Sequence, residues 1–87
     1  MKLTPKARAV LTAALRADHH DGIGARQVAH ILGYGNKYMR AGQYVGKLCK
    51  EGWIQSRMNW YRGSRGHDVY SHMSYFITQK GKEILYK

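Results

Sequence analysis

Five polar side chains recur at helical spacing near the middle of the chain. Counted from the first, they lie at offsets 0, 4, 7, 11 and 14, and they are Asn36, Arg40, Gln43, Lys47 and Lys50. In a helix of about 3.6 residues per turn, such positions form one continuous stripe. The stripe carries a guanidinium, two ammonium groups and two amides, which are groups that bind base edges and phosphates in a DNA groove. The pattern therefore favours nucleic-acid binding.

The overall charge also favours a polyanionic partner. The 87 residues include 15 Lys and Arg against 5 Asp and Glu, for a formal net charge of +10 and a pI near 10.1. A charge of this size attracts polyanions over long distances at low salt. Nucleic acid is the common partner of such proteins, and an anionic membrane is the less common one. The length predicts a single domain over residues 1–87.

Residue usage argues against several other functions. Apolar runs are too short for a transmembrane helix or a signal peptide, so we expect a cytoplasmic, nucleoid-associated protein. Cys49 is the single cysteine and cannot form an internal disulfide. His19, His20, His67 and His72 match no recognised zinc spacing, so we expect neither a metal nor another cofactor. The few acidic residues form no close pair on a predicted face, and we expect no enzymatic activity.

Apolar periodicity predicts three helices, over about residues 5–18, 24–33 and 36–51. Pro5 suits the first helical position, and Asn36 is a good cap for the third helix. The third helix also has an inward side, which is predicted to consist of Tyr38, Ala41, Val45, Leu48 and Cys49.

Two glycines flank that inward side, Gly42 and Gly46. Each costs roughly 1 kcal/mol relative to alanine inside a helix. Their presence predicts that another backbone approaches the third helix closely.

The second half of the chain predicts two strands and a last helix. The strands fall within about residues 54–77, on either side of a basic glycine-containing loop. Ile54 and Met58 share one side of the first strand, and Met73 and Ile77 share one side of the second. A single core under the helices and the hairpin would bury these apolar side chains. A short helix over about residues 79–86 follows.

Three stretches of the chain resemble winged helix-turn-helix DNA-binding proteins, particularly small bacterial and phage transcription regulators. They are Gly24–Gly33, Val45–Ile54 and Tyr75–Gly81, which are similar to the second helix with its glycine turn, the end of the recognition helix, and the exit from the wing. The resemblance implies an α+β fold with a three-helix body, a two-stranded β-hairpin wing and a short C-terminal helix. The chain departs from the pattern at Gly24, where Ser or Thr is usual. Long terminal helices for dimerisation are also absent.

The resemblance implies that the third helix enters the major groove and that the wing contacts the backbone or the adjacent minor groove. Arg40, Gln43 and Asn36 are then candidates for reading base edges, flanked by Tyr44 and Lys37.

Other positions are candidates for contacts with phosphates or with the minor groove. Arg26, Gln27, Lys47 and Lys50 are expected to contact phosphates. Arg62 and Arg65 would enter or straddle the minor groove.

Two other functions are compatible with the same residues. The basic surface could bind structured RNA, or the hairpin and the aromatic side chains could dock onto a polymerase or another regulator. A homodimer is possible but is not implied by the sequence. The residues do not reveal the operator, the direction of regulation or an inducer.

Overall fold

Four helices and two antiparallel strands succeed one another in an α+β arrangement. The computed structural model describes residues 2–17, 22–62 and 69–87, and for residues 59–62 and 69–72 it describes the backbone alone. No described helix combines the length and the apolar content that crossing a bilayer requires. In chain order, the elements are α1 (Pro5–Arg16), α2 (Ala25–Leu32), α3 (Tyr38–Lys50), β1 (Ile54–Arg62), β2 (Val69–Ile77) and α4 (Gln79–Leu85).

Local signals account for several of the helix ends. The Thr4 hydroxyl accepts a hydrogen bond from the Ala7 N–H at 3.1 Å and so caps α1, with Pro5 at its first turn. Gly33 and Gly52 follow α2 and α3 in left-handed conformation, with φ of 74° and 79°. Glycine adopts this conformation without strain and is the usual residue after a helix. Helix α1 ends at Arg16, two residues short of its expected end.

The expected cap of α3 is wrong, because Asn36 belongs to the preceding turn. Lys37 donates its backbone N–H to the Tyr34 carbonyl at 3.2 Å, which closes a turn across Gly35 and Asn36. Gly35 has a φ of 64° within this turn. The helix therefore starts at Tyr38, with Lys37 at the cap position and no side-chain capping bond.

The two strands form one antiparallel sheet in which Ile54 lies opposite Ile77 at the end nearest the helices. A third segment joins its free edge. Ile23, just before α2, donates its N–H to the Tyr75 carbonyl at 3.0 Å and accepts from the Tyr75 N–H at 2.8 Å. This bridge attaches the start of α2 to β2.

The core lies where the helices meet the base of the hairpin. Burying such apolar side chains is the main source of stability in a domain of this size. The larger members of the core are Val10, Leu11, Ile23, Val28, Val45, Leu48, Trp53, Ile54 and Ile77.

Three apolar side chains expected in the core are exposed instead. Met58 and Met73 pair across the sheet, but 47% and 36% of their surfaces are accessible to solvent. Met58 lies about 13 Å along the strand from Ile54, where the hairpin extends past the helices. Tyr38 is 41% exposed, and its ring lies beside the Arg26 guanidinium instead of the core.

The glycines of α3 do not meet another backbone. A Cβ at Gly42 would lie 3.9 Å from the Tyr75 hydroxyl, which is ordinary side-chain contact, and at Gly46 it would meet nothing within 4 Å. The prediction of close backbone packing is therefore wrong for the described residues. Gly46 borders open space, whereas Gly42 lies beside a side-chain oxygen of β2.

Candidate nucleic-acid interface

Helix α3 divides into a buried side and an exposed polar side. Ala41, Val45 and Leu48 have no accessible surface and attach the helix to the core. The polar residues that face solvent from α3 are Arg40, Gln43, Lys47 and Lys50. Asn36 and Lys37 are also exposed, but they precede the helix. The expected stripe therefore occupies the exposed side of α3, without its first member.

No acidic residue interrupts the charge of this region. Residues 22–50 contain neither Asp nor Glu. The cations of this segment are Arg26, Lys37, Arg40, Lys47 and Lys50, and all of them are exposed. Cations without intervening carboxylates create a positive potential that attracts phosphate groups.

Tyr34 brings together two cations from different helices. The Arg40 guanidinium carbon lies 4.6 Å from the centre of the Tyr34 ring, and the Lys6 ammonium nitrogen lies 5.7 Å from it. Both distances are in the range of cation–π attraction. We refer to Lys6, Tyr34 and Arg40 as the Tyr34 cluster. It links the start of α1 to the exposed side of α3.

A shallow groove separates the start of α1 from the same side of α3. It encloses about 520 Å³ and is lined by Thr4, Pro5, Lys6, Tyr44 and Lys47. Tyr44 is half-buried, and its hydroxyl oxygen lies 3.5 Å from the Thr4 hydroxyl. Lys6 and Lys47 therefore add positive charge to a mostly apolar groove.

The two candidates on α2 have different surroundings. Arg26 is exposed, and its guanidinium carbon lies 5.6 Å from the centre of the Tyr38 ring. The Gln27 side-chain oxygen accepts a hydrogen bond from the Gly24 N–H at 3.1 Å and caps α2. The Gln27 oxygen is therefore engaged in the fold, whereas its amide N–H groups have no partner among the described residues and can donate to a ligand.

The hairpin candidates are described only in part. Arg62 is the last residue of β1, where only its backbone is described, and Arg65 lies outside the described residues. Arg57 is an exposed cation of β1, with its guanidinium carbon 5.0 Å from the centre of the Phe76 ring.

No protein-family model matches the chain, and no curated protein or solved structure is significantly similar to it. Its function is therefore inferred from its own residues.

The structure adds residues that were not among the expected site residues. Lys6 is far from α3 in sequence, and no local pattern connects the two. The sequence gives a weak indication for Tyr34, since it directly follows Gly33, and the end of a helix fixes the backbone position of the residue after a left-handed glycine. Arg57 follows from strand alternation, which places it on the exposed side with Gln55.

The potentially reactive groups lie away from this surface. Partial burial raises the pKa of the Cys49 thiol, so it is neutral at pH 7. Burial raises the pKa of the Tyr75 hydroxyl, and the negative charge of an ionised Cys49 raises it further. Within the described residues, no three His, Cys, Asp or Glu side chains cluster to hold a metal ion. His19, His20 and His67 lie outside those residues.

Proposed function

We propose that this chain is a winged helix-turn-helix DNA-binding protein, of the kind that regulates transcription in bacteria or phages. The order of its elements supports the proposal, since two helices joined by a short turn precede an antiparallel hairpin. A protein with this role would be associated with the nucleoid in the cytoplasm. In this proposal, α3 is the recognition helix and the β1–β2 hairpin is the wing.

The observation that carries the proposal is the two-sided character of α3. One side is buried in the core, and the other exposes cations and an amide with no acidic residue among them. A helix with its side chains is about 10–12 Å wide, close to the roughly 12 Å width of the major groove of B-DNA. The major groove of A-form RNA is too narrow for it, which favours DNA over duplex RNA.

The exposed residues divide by the chemistry that each can perform. Arg40 can donate two hydrogen bonds to guanine, and Gln43 can pair with the donor and acceptor of adenine. The ammonium groups of Lys47 and Lys50 and the guanidinium of Arg26 suit phosphates. Phosphate contacts position the protein on the duplex without reading its sequence.

The test is a duplex-binding assay with matched variants. A preferred sequence is first selected from random duplexes with the wild-type chain. We expect Arg40→Ala and Gln43→Ala to lose discrimination at separate base pairs, each by about 1–3 kcal/mol. Arg16→Ala removes an exposed cation at the far end of α1 and should keep the preference. An unchanged preference in both α3 variants would refute the proposal.

Competition between duplexes of equal length separates DNA binding from RNA binding. We expect a DNA duplex to displace the RNA duplex at much lower concentration, because only the DNA groove admits α3. Equal or stronger competition by RNA would favour the structured-RNA alternative. A palindromic consensus in the selected duplexes would indicate a dimer reading two half-sites.

One observation favours docking onto a protein as a second candidate function. Met58 and Met73 are directly opposed and exposed at the middle of the hairpin, and methionine is common at adaptable protein-binding surfaces. If the hairpin serves only DNA, Met58→Ser with Met73→Ser should leave regulation of a reporter gene intact. If it docks onto a polymerase, the double variant should bind the operator normally but fail to regulate.

A further inference from the structure

We infer that Tyr34 is the positioning residue that holds Arg40 in the orientation in which it reads a base pair. This inference rests on the proposed function and adds a specificity determinant outside the recognition helix. It concerns the Tyr34 cluster, in which an aromatic ring from the α2–α3 turn lies under a guanidinium from α3.

The ring is well placed because the Tyr34 backbone is attached to both neighbouring helices. Its N–H donates to the Ala29 carbonyl of α2 at 2.8 Å, and its carbonyl accepts from the Lys37 N–H at the start of α3 at 3.2 Å. The side chain is half-buried and packs against the core. The Tyr34 ring therefore has a defined position relative to α3.

The ring holds Arg40 through its face. Within the described part of the chain, the Arg40 side chain has this ring contact and neither a hydrogen bond nor an ion pair. A guanidinium stacked on a ring keeps its N–H groups, which lie in its plane, free to donate to a planar acceptor pair such as guanine O6 and N7. A carboxylate partner would have occupied those same N–H groups.

Lys6 explains why the cluster should be oriented toward an anionic ligand. Its ammonium group approaches the same ring from α1, so two like charges contact one aromatic ring. Such a pair is stabilised by a polyanion that neutralises both. In the bound state, Lys6 would contact a backbone phosphate while Arg40 extends to the base.

The test uses the preferred duplex and its single-base-pair variants with four proteins: wild type, Tyr34→Phe, Tyr34→Leu and Arg40→Ala. We expect Arg40→Ala to abolish discrimination at one base pair. Tyr34→Leu should weaken discrimination at that same base pair by about two- to fivefold, the size of an exposed cation–π contact. Tyr34→Phe keeps the ring and should retain wild-type discrimination. In an Arg40→Ala background, Tyr34→Leu should have no further effect on discrimination.

The outcomes separate this inference from the proposed function. If Arg40→Ala loses discrimination but Tyr34→Leu keeps it, the positioning role is refuted and DNA recognition by α3 stands. A uniform loss by Tyr34→Leu on every duplex, with or without Arg40, also refutes it. If Arg40→Ala discriminates like the wild type, the proposed role of α3 fails and the inference fails with it.

A measurement on the unmodified protein covers the case in which Tyr34→Leu does not fold. The ring current of Tyr34 should shift the side-chain proton resonances of Arg40 upfield of those of Arg16, which has no described ring contact. Coincident shifts for the two arginines would refute the contact between the Arg40 guanidinium and the Tyr34 ring.

Discussion

Gly46 is a helical residue with open space where its side chain would be. A Cβ there would meet nothing within 4 Å, and its φ is ordinary for a helix. Alanine should therefore gain helix propensity without a clash. We predict that Gly46→Ala raises the free energy of unfolding by about 0.5–1 kcal/mol, measured by urea denaturation.

Gly81 is the matched control in α4. A Cβ there would collide with the Trp53 carbonyl oxygen and lie 2.8 Å from the Ile77 side chain. Gly81→Ala should destabilise the chain by about 1–3 kcal/mol, as overpacking generally does. If both variants changed stability in the same direction, the packing around these helices would differ from the one described.

Cys49 gives stability a pH dependence on the alkaline side. Burial raises the pKa of its thiol above the ordinary value of 9.0, so the folded state retains the proton more tightly than the unfolded state. The neutral thiol therefore makes its full contribution to the free energy of unfolding below pH 9.0, and this contribution is lost as the pH rises through the raised pKa. Between about pH 8 and pH 10, the wild type should lose more stability than Cys49→Ala. Parallel urea-midpoint curves for the two proteins would contradict this assignment.

At the scale of elements, Thr78 connects α4 to the turn after α3. Its hydroxyl accepts from the Gly81 N–H at 3.0 Å and donates to the Gly52 carbonyl at 2.5 Å. Its N–H also donates to the Trp53 carbonyl at 3.0 Å. We predict that Thr78→Ala lowers the free energy of unfolding by about 2 kcal/mol, since the cap of α4 is lost and the partly buried Gly52 carbonyl loses its donor.

Two other hydroxyl variants serve as controls for Thr78. Thr78→Ser keeps the hydroxyl and should remain near the wild type. Thr4→Ala removes the cap of α1 and should cost only about 1 kcal/mol. Equal losses in Thr78→Ala and Thr4→Ala, measured by denaturant unfolding, would show that the bond to Gly52 contributes nothing.

Periodic patterns predicted the elements well because they record which side of each element is buried. The apolar side of α3 contains Val45 and Leu48 at the expected positions, and Gly33 and Gly52 have the left-handed conformation that is common after a helix. The α+β arrangement of four helices and an antiparallel hairpin is thereby confirmed.

Other features depend on competing turn structures or on packing between distant parts of the chain, and a local sequence pattern contains neither. Asn36 has good capping chemistry, but the turn that closes across it takes it out of the cap position. Alternation correctly places Met58 on the same side as Ile54 and Met73 on the same side as Ile77, yet it does not tell how far the helices extend beneath the hairpin. Lys6 reaches the candidate site only through the three-dimensional packing of α1.

At the scale of the whole molecule, the distribution of charge matters more than its total. All 5 acidic residues lie outside residues 22–50, so no carboxylate lies among the cations of α2 and α3 in the sequence. If this surface neutralises about six phosphates, the logarithm of the binding constant should fall with the logarithm of salt concentration with a slope of roughly −5.

Variants that lack a single positive charge test which cations contact phosphates. Lys47→Ala and Lys50→Ala should each make the salt slope shallower by about one unit, because each removes one phosphate contact. Their affinities should fall equally on preferred and shuffled duplexes, since phosphates carry no sequence information. Arg16→Ala loses the same charge at the far end of α1 and should keep the wild-type slope. Filter-binding titrations at several salt concentrations provide these slopes. A wild-type slope shallower than about −1 would mean that hardly any phosphate is neutralised, which is incompatible with docking of α3 in a DNA groove.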